Sequence, residues 1–319
     1  MKISFIIPVY NSEKTIKNTV ESILNQETDH ALDIIIINDG STDNSGEIAA
    51  KLSKENKNIK LFWQKNKGEA AALNEGMTHC EGDFVVLVEA DVELEKKWLT
   101  KVIGEFDCPS VMGVGGNLAT AEGDSWIARI AGYEVELKFK NKPRDTKHIT
   151  SANAIYRRGV FSKIGILNEG LLNASLDADF NYRIIHNGYK LIFVKNAIAI
   201  HHFKSTLLSF LKRQYAYARY RVFLKERELY PLDRWFLLNI LLTGMCILSL
   251  VIKPIAIFIS FLVFLFIMQA GVAFVLLKMK KDPVILLYPV IAILRNIVAV
   301  FGISIGLINK AKVLLTAKV

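Results

Sequence analysis

Short apolar runs alternate with amphipathic stretches along the first 90 residues of the chain. The apolar runs predict buried strands, each followed by polar turn residues, at 3–9, 34–37, 59–63 and 84–88. Residues with helical spacing lie between them, at about 13–26, 43–52 and 68–77. Strands that alternate with helices in this way indicate βαβ units and a mostly parallel, twisted sheet flanked by helices. The predicted fold class is therefore α/β.

The last third of the chain has a different pattern, with long apolar runs that lack a polar face. The runs 235–252 and 255–277 contain no charged residue and are 18 and 23 residues long. About 17–25 such residues are needed to cross the hydrocarbon layer of a membrane. A third run, 283–308, carries Arg295 near its middle. We expect two or three transmembrane helices, because the helices of a buried soluble domain would show a polar side.

The basic excess of the chain is concentrated just before these runs. The net charge is +9 over 319 residues. In the segment 204–234, Lys and Arg are interleaved with aromatic and aliphatic residues, which is typical of an amphipathic helix at a membrane surface. A soluble helix that covers the preceding domain is the alternative. Its position beside the apolar runs favours anionic lipid over nucleic acid as the partner, and no nucleic-acid partner is predicted.

The N-terminus and the cysteines indicate a cytoplasmic location for the first domain. The apolar run that ends at Pro8 is too short for a signal peptide. The three cysteines (Cys80, Cys108 and Cys246) have no CxxC spacing, which suits a reducing compartment. We therefore expect a multi-pass protein of the cell membrane whose first domain, at 1–203, is cytoplasmic.

The topology of the third apolar run stays open at this stage. Two spans would return the chain to the cytoplasm at Lys278–Lys281, in agreement with the positive-inside rule. A complete third span would place Lys310, Lys312 and Lys318 outside, against that rule. Alternatively, Arg295 marks a break in a re-entrant or tilted segment, or pairs with a lipid phosphate.

Two acidic residues follow the fourth predicted strand. Glu89 and Asp91 are one residue apart, so their side chains lie on the same side of an extended chain and can converge on one cation. Ligand crevices in open α/β sheets lie at the carboxyl ends of strands. A solvated acidic turn is the alternative interpretation of this stretch.

Polar loops follow the first two strands at the same expected edge of the sheet. They are Pro8-Val9-Tyr10-Asn11 and Asn38-Asp39-Gly40-Ser41. Asp39 can accept hydrogen bonds from a nucleotide base or a ribose hydroxyl, or it can simply form an Asx turn. Neither GxGxxG after the first strand nor GxxxxGK[ST] occurs, so dinucleotide-binding and P-loop sites lose their main support.

Together these segments resemble the family 2 glycosyltransferases. The resemblance extends over the first 95 residues through four motifs in order: 8–11, 38–43, 66–76 and 82–91. It implies a GT-A nucleotide-sugar-binding domain, a nucleotide-sugar donor, and Mn²⁺ or Mg²⁺. In this family the acidic motif, here Glu89-Ala90-Asp91, is normally Asp-x-Asp, and this chain has Glu in the first place.

The resemblance also implies a role for individual residues. Asp177, in Leu176-Asp177-Ala178-Asp179, would be the catalytic base, with Leu176 where the family has Glu. His201, rather than His202, would join Glu89 and Asp91 at the metal. Contacts to the nucleotide sugar would come from Pro8, Tyr10, Asn11, Asp39, Gly68, Asn74, Glu89, Ala90, Asp91 and Asn153. A cap on a strand end is the alternative role for Asn153.

The expected function is an inverting, metal-dependent glycosyltransferase with a lipid-linked acceptor on the cytoplasmic face of the membrane. Its regions would be 1–203 (catalytic), 204–234 (interfacial) and 235–319 (transmembrane). A processive polysaccharide synthase is disfavoured because no Gln-x-x-Arg-Trp occurs. Glu89 and Leu176 leave open a non-catalytic protein that retains the sugar-nucleotide fold.

Overall fold

A computed structural model describes residues 1–171, 176–203, 206–223, 231–252 and 255–316. The chain forms two compact units, and each is described here by itself. The first comprises 1–121 and 139–202, and the second comprises 122–138 and 203–319.

The first unit is built on one nine-stranded sheet. Its strands are β1 (Lys2–Val9), β2 (Ala31–Asp39), β3 (Ile59–Gln64), β4 (Phe84–Val88), β5 (Val92–Leu94), β6 (Val111–Thr120), β7 (Asp145–Thr146), β8 (Asn153–Arg157) and β9 (Lys190–His201). The four strands expected from the apolar runs are all present.

The order of the strands is β3-β2-β1-β4-β8-β6-β9-β5, and β7 pairs with β9. β1 runs parallel to both β2 and β4, so these three strands end at one edge of the sheet. The strands β5, β7 and β8 each run antiparallel to their neighbours. The sheet is therefore mixed, with four parallel and four antiparallel pairs of strands among the described residues. The loops after β1, β2 and β4 are neighbours, as the sequence predicts.

Helices flank this sheet because its central strands are apolar on both faces. All four isoleucines of 34–37 are fully buried, which requires cover on each side. The helices of this unit are α1 (Ile16–Leu24), α2 (Ser45–Glu55), α3 (Glu69–Thr78), α4 (Trp98–Ile103), α6 (Gly159–Ile164) and α7 (Leu176–His186). One core cluster joins α3, α6 and α7 to the sheet through residues such as Leu73, Tyr156 and Phe180.

The second unit is helical in its described residues. It contains nearly all of α5 (Trp126–Phe139), then α8 (Leu207–Arg221), α9 (Pro231–Ile252), α10 (Ile255–Lys280) and α11 (Tyr288–Thr316). The segments 255–280 and 283–312 are long and apolar enough to cross a membrane, and 234–250 is a shorter apolar helix. Most of α10 is exposed, including Ile259, Phe264 and Ile267.

Two features of this unit differ from the sequence-based expectation. α11 passes through Arg295 without interruption, so no break occurs there. Arg295 is almost fully buried and pairs with Glu134, so it does not serve as the predicted phosphate ligand. The predicted interfacial segment, 204–234, lies partly outside the described residues, and within them α8 supplies its helix.

The division of the chain also differs from a single catalytic domain over 1–203. Residues 122–138 lie inside that range but cluster with the C-terminal helices. The physical reason is a set of polar contacts from α5, because Arg129 and Tyr133 both bind the carboxylate of Asp282 and Glu134 binds Arg295. These partners are about 150 residues away in sequence, so local pattern carries no sign of them.

Candidate active site

Two strand ends bring Glu89, Asp91 and His201 together. Glu89 directly follows β4, and Asp91 precedes β5, whose Val92 pairs with His201 on β9. The Nε2 atom of His201 lies 3.6 Å from Oε2 of Glu89 and 3.4 Å from Oδ1 of Asp91. One potential ligand atom from each of the three residues lies within 4.8 Å of the others.

This donor set fits a divalent cation. Two carboxylates and one imidazole offer the oxygen and nitrogen ligands found around Mn²⁺ and Mg²⁺. His201 is buried, and the side chains of Glu89 and Asp91 are only 16% and 15% exposed. Two acidic groups at such short range are best stabilised by a positive charge between them. The longer side chain of Glu89 still reaches the cluster.

His202 has a different partner. Its Nε2 atom lies 2.8 Å from Oε1 of Glu93, which also accepts a hydrogen bond from Asn18. The backbone N–H of His202 donates to the carbonyl of Asp91 at 2.9 Å. Because side chains alternate along an extended strand, only His201 is directed to the acidic pair.

Asp39 organises the loop between β3 and α3. Its carboxylate accepts hydrogen bonds from the Lys67 and Gly68 backbone N–H groups at 2.8 and 2.9 Å and from Gln64 Nε2 at 2.7 Å. Gly68 has φ of +93°, a conformation that favours glycine. Asp39 therefore fixes this loop, and its contact with a nucleoside stays a prediction.

The loops after β1 and β2 are tied to each other. The side-chain carbonyl of Asn11 accepts from the Thr42 N–H at 2.8 Å, and the Asn11 N–H donates to Ser41 Oγ at 3.2 Å. Tyr10 is half exposed and Pro8 is partly exposed at the same strand end. These residues form a surface beside β4, and their contacts with a donor remain a prediction.

Two other predicted binding residues are engaged within the protein. Asn74 donates to Leu167 O at 3.0 Å and Glu169 Oε1 at 2.8 Å, and accepts from the Leu167 N–H at 3.0 Å. The carbonyl of Ala90, which is itself buried, accepts from Thr19 at 3.0 Å. These contacts hold neighbouring segments of the chain in position. Contacts of Asn74 and Ala90 with a ligand stay a prediction.

Asn153 is fully buried on β8, where it pairs with Val88 at the end of β4. Its Nδ2 atom donates to the Asn117 carbonyl at 3.0 Å. Among the described residues, none donates a hydrogen bond to its Oδ1 atom. Asn153 therefore retains one acceptor next to the site.

Asp177 lies in the first turn of α7 and faces two basic side chains. Its Oδ2 atom lies 3.4 Å from Nε2 of His148, and its Oδ1 atom accepts from the Ala178 N–H at 2.8 Å. Burial alone would raise the pKa of this carboxyl, but His148, the Ala178 hydrogen bond and Lys142 together hold the pKa below its ordinary value. Asp177 is thus an ionised carboxylate at neutral pH, as a base must be.

Lys142 is held beside Asp177 by aromatic rings. Its Nζ atom lies 4.4 Å from the ring centre of Phe139 and 4.9 Å from that of Phe193. Burial lowers the pKa of this lysine to about 8, although Asp177 acts in the opposite direction. Neither Lys142 nor His148 belongs to a sequence motif, because both lie in loops and meet Asp177 only through the tertiary fold.

Residues 4–165, about half of the chain, match the model of glycosyl transferase family 2. The chain belongs to this family. The family, the glycosyltransferase activity class and the GT-A fold predicted from the sequence are thereby confirmed.

Two relatives of this glycosyltransferase differ in how much of it they cover. A Methanococcus voltae enzyme is 25% identical over 96% of this chain and 97% of its own length. It is named dolichyl N-acetyl-alpha-D-glucosaminyl phosphate 3-beta-D-2,3-diacetamido-2,3-dideoxy-beta-D-glucuronosyltransferase. The poly-beta-1,6-N-acetyl-D-glucosamine synthase of Staphylococcus aureus is 32% identical, over 41% of this chain and 32% of its own.

A solved structure supports the fold of the glycosyltransferase. The mannosyltransferase of Pyrobaculum calidifontis, solved with GDP-Man and Mn²⁺, superposes with a TM-score of 0.55 at 17% identity. The superposition covers 69% of this chain and 61% of the other. At this identity the similarity shows the fold alone.

Proposed function

We propose that this glycosyltransferase inverts the anomeric configuration, requires a divalent cation, and transfers a sugar from a nucleotide-sugar donor to a lipid-linked acceptor on the cytoplasmic face of a membrane. The observation that carries the proposal is the cluster of Glu89, Asp91 and His201, which adjoins the strand-end loops after β1 and β2. Ligands of open α/β sheets bind at such strand ends.

Asp177 provides the chemistry that an inverting transfer needs. Its carboxylate takes the proton from an acceptor hydroxyl as the hydroxyl oxygen attacks the anomeric carbon. The bond from that carbon to the nucleoside diphosphate breaks, and the diphosphate leaves with the electron pair. When bound, a divalent cation supplies positive charge beside the leaving group. A single displacement of this kind inverts the configuration.

A lipid-linked acceptor is supported by the relative that matches nearly the whole chain. The name of the Methanococcus voltae enzyme specifies a dolichyl-phosphate-linked acceptor, and a 2,3-diacetamido-2,3-dideoxyglucuronosyl group as the sugar that is transferred. The segments 255–280 and 283–312 provide the apolar helices that such an enzyme needs at a membrane. We therefore include uronosyl donors among those to be tested.

A processive polysaccharide synthase is the second candidate. The match to the poly-N-acetylglucosamine synthase favours it, although that match covers only part of the chain. The absence of Gln-x-x-Arg-Trp from the sequence argues against it. The length of the products separates the two functions.

The test is a survey of donors with purified protein in detergent. UDP-, GDP- and TDP-sugars, including UDP-glucuronate, are incubated with Mn²⁺ or Mg²⁺, and nucleotide release is measured with and without polyprenyl phosphate and polyprenyl-phosphate-linked saccharide. We expect cation-dependent release that requires an acceptor and yields short products of inverted configuration. Long glycans would favour the synthase, and retained configuration would contradict inversion.

Asp177→Asn tests the base, and Asp179→Asn is its matched control. Asp179 lies on the same turn but pairs with Arg183 at 2.9 Å. Loss of a general base lowers turnover by about 10²- to 10⁴-fold. We expect a loss of this order for Asp177→Asn and activity within a few-fold of the native enzyme for Asp179→Asn. Equal activity of the two variants would remove Asp177 from the mechanism.

A further inference from the structure

α8 and α11 run side by side in the same direction within the second unit. A Cβ atom added to Gly302 would lie 2.7 Å from the Tyr215 carbonyl, and one added to Gly306 would overlap the Arg219 carbonyl. Lys310 Nζ donates to the Val222 carbonyl at 2.6 Å. At each contact the α11 residue lies 87 or 88 positions after its α8 partner, so the two helices keep one register from 302 to 310.

This register places the cations of α8 beside the second half of the apolar helix α11. α8 carries Lys212, Arg213, Arg219 and Arg221. If the spacing of 87 positions holds along α8, these four side chains lie beside α11 positions 299–308. If α11 crossed the membrane, α8 would have to lie in the hydrocarbon layer with it. Lys and Arg side chains at the centre of a membrane are unfavourable even by the lower scales, so that arrangement is disfavoured.

α11 has one covered face and one exposed apolar face. The covered face carries Ala292, Ala299 and Gly302, and the small size of these residues allows close packing. Exposed apolar residues lie on the opposite side at helical spacing: Val290, Phe301, Ile305 and Ile308. A basic helix joined to an apolar face of this kind is suited to the boundary between lipid headgroups and acyl chains.

The contacts of α5 define the side of the membrane on which α10 ends. α5 lies between two segments of the first unit in the chain, so it must be on the same side of the membrane as that unit. It contacts the end of α10 and the turn after it, through Lys280 with Glu136 at 2.5 Å and through Asp282 with Arg129 at 2.8 Å. α9 and α10 therefore complete one crossing and one return.

We infer that α11 does not span the membrane but lies along its surface beside α8, on the face that carries the catalytic residues. α8 contributes cations to the phosphate headgroups of that face, and the exposed side of α11 contacts the acyl chains. The protein then has two spans, α9 and α10. Lys310 and Lys312 lie on the same side as Lys278–Lys281, which agrees with the positive-inside rule.

Cysteine labelling of sealed, oriented vesicles tests this topology. Single reporters are introduced into the 319-residue chain that carries Cys108→Ser, and they are Lys281→Cys, Lys253→Cys (between α9 and α10) and a cysteine appended after Val319. A separate sample without Cys108→Ser serves as the reference. Its native Cys108, which is exposed in the first unit, marks the catalytic side. With an impermeant maleimide, we expect Cys108, Lys281→Cys and the appended cysteine to react from one side, and Lys253→Cys from the other. Reaction of the appended cysteine together with Lys253→Cys would overturn the inference.

A depth measurement gives an independent result without the C-terminal reporter. Phe301→Cys is labelled with a bimane fluorophore and reconstituted in vesicles that contain lipids brominated at shallow or deep acyl positions. We expect stronger quenching by the shallow bromines. Stronger quenching by the deep bromines would place α11 in the bilayer centre and overturn the inference.

Discussion

At the scale of single residues, the neighbours of the candidate base, Asp177, determine its protonation state. The carboxylate of Asp177 lies 3.4 Å from the His148 imidazole, with Lys142 nearby over two aromatic rings. Burial favours the protonated acid, and these neighbours favour the carboxylate. The balance lies with the carboxylate, so Asp177 can accept a proton at neutral pH.

His148→Gln should move the acidic limb of the pH profile. The pKa of Asp177 is lowered in the native protein, partly by His148. Without that charge the pKa rises, and the base is protonated up to a higher pH. We therefore expect the acidic limb of kcat/KM to shift to higher pH, while His186→Gln, a change on the exposed side of α7, leaves it in place. An unchanged limb in His148→Gln would show that His148 does not influence the base.

Asp91→Asn should weaken the binding of the cation, whereas His202→Gln should not. Asp91 lies 3.4 Å from His201 in the acidic cluster, and His202 binds Glu93 instead. Changes to residues that merely support metal ligands already cost about 10- to 100-fold in affinity. We expect the Mn²⁺ concentration at half-maximal activity to rise by at least that factor for Asp91→Asn. Similar values for the two variants would contradict the assigned site.

At the scale of elements, the contact of α8 with α11 depends on glycine. Gly302 and Gly306 bring the α11 backbone against α8 carbonyls, because neither has a side chain to separate the helices. In contrast, among the described residues a Cβ on Gly244 of α9 would meet no atom within 4 Å beyond its chain neighbours and the adjacent backbone of its own helix. The same residue type therefore has a packing role in one helix and none in the other.

Gly302→Ala and Gly244→Ala form a matched pair for thermal unfolding in one detergent. Overpacking of a tight contact costs about 1–3 kcal/mol, and we expect a lower Tm for Gly302→Ala. Replacing an uncrowded helical glycine by alanine stabilises a helix by up to about 1 kcal/mol, so Gly244→Ala should keep or raise the Tm. Equal shifts would mean that the two helices are not in close contact at Gly302.

At the scale of the whole molecule, a short insertion belongs to the unit of C-terminal apolar helices. α5 follows β6 in sequence, yet residues 122–138 form part of the second unit. Glu134 of α5 pairs with Arg295 of α11, and both side chains are largely buried. Burial would raise the pKa of Glu134, but Arg295 and Lys138 bring it below the ordinary value, so the pair is ionic.

Breaking this pair should destabilise the protein more than removing both charges. Loss of one partner from a buried pair costs about 3–5 kcal/mol, because the other charge is left without compensation. We expect Glu134→Leu and Arg295→Leu each to lower the Tm strongly, and the double variant to regain most of the loss. Lys51→Ala, which removes an exposed pair with Glu55, should have almost no effect. Additive losses in the double variant would contradict a direct coupling.

How well each part of the site could be predicted depends on how far apart its residues lie in the sequence. Glu89 and Asp91 were recognisable as a pair because they flank one residue at a strand end. The family resemblance supplied His201 and Asp177, which lie about 90–110 residues further on. His148 and Lys142 were not predicted, since a lone His and a lone Lys in a loop carry no periodic signal. Likewise, Asp39 and Asn74 were predicted as ligand contacts, but their contacts within the protein emerged only from the fold.

The sequence by itself determined the α/β class, the family, the acidic pair and the apolar helices, because these depend on local periodicity and on motifs within a few residues. Only the tertiary structure decided that α5 joins the C-terminal helices, that Arg295 pairs with Glu134, and that α11 lies against the basic helix α8. These features depend on pairs of residues about 90–160 positions apart. Hydropathy alone favours a third span for α11, whereas the inferred position of α11 at the membrane surface rests on the charges that the fold places beside it.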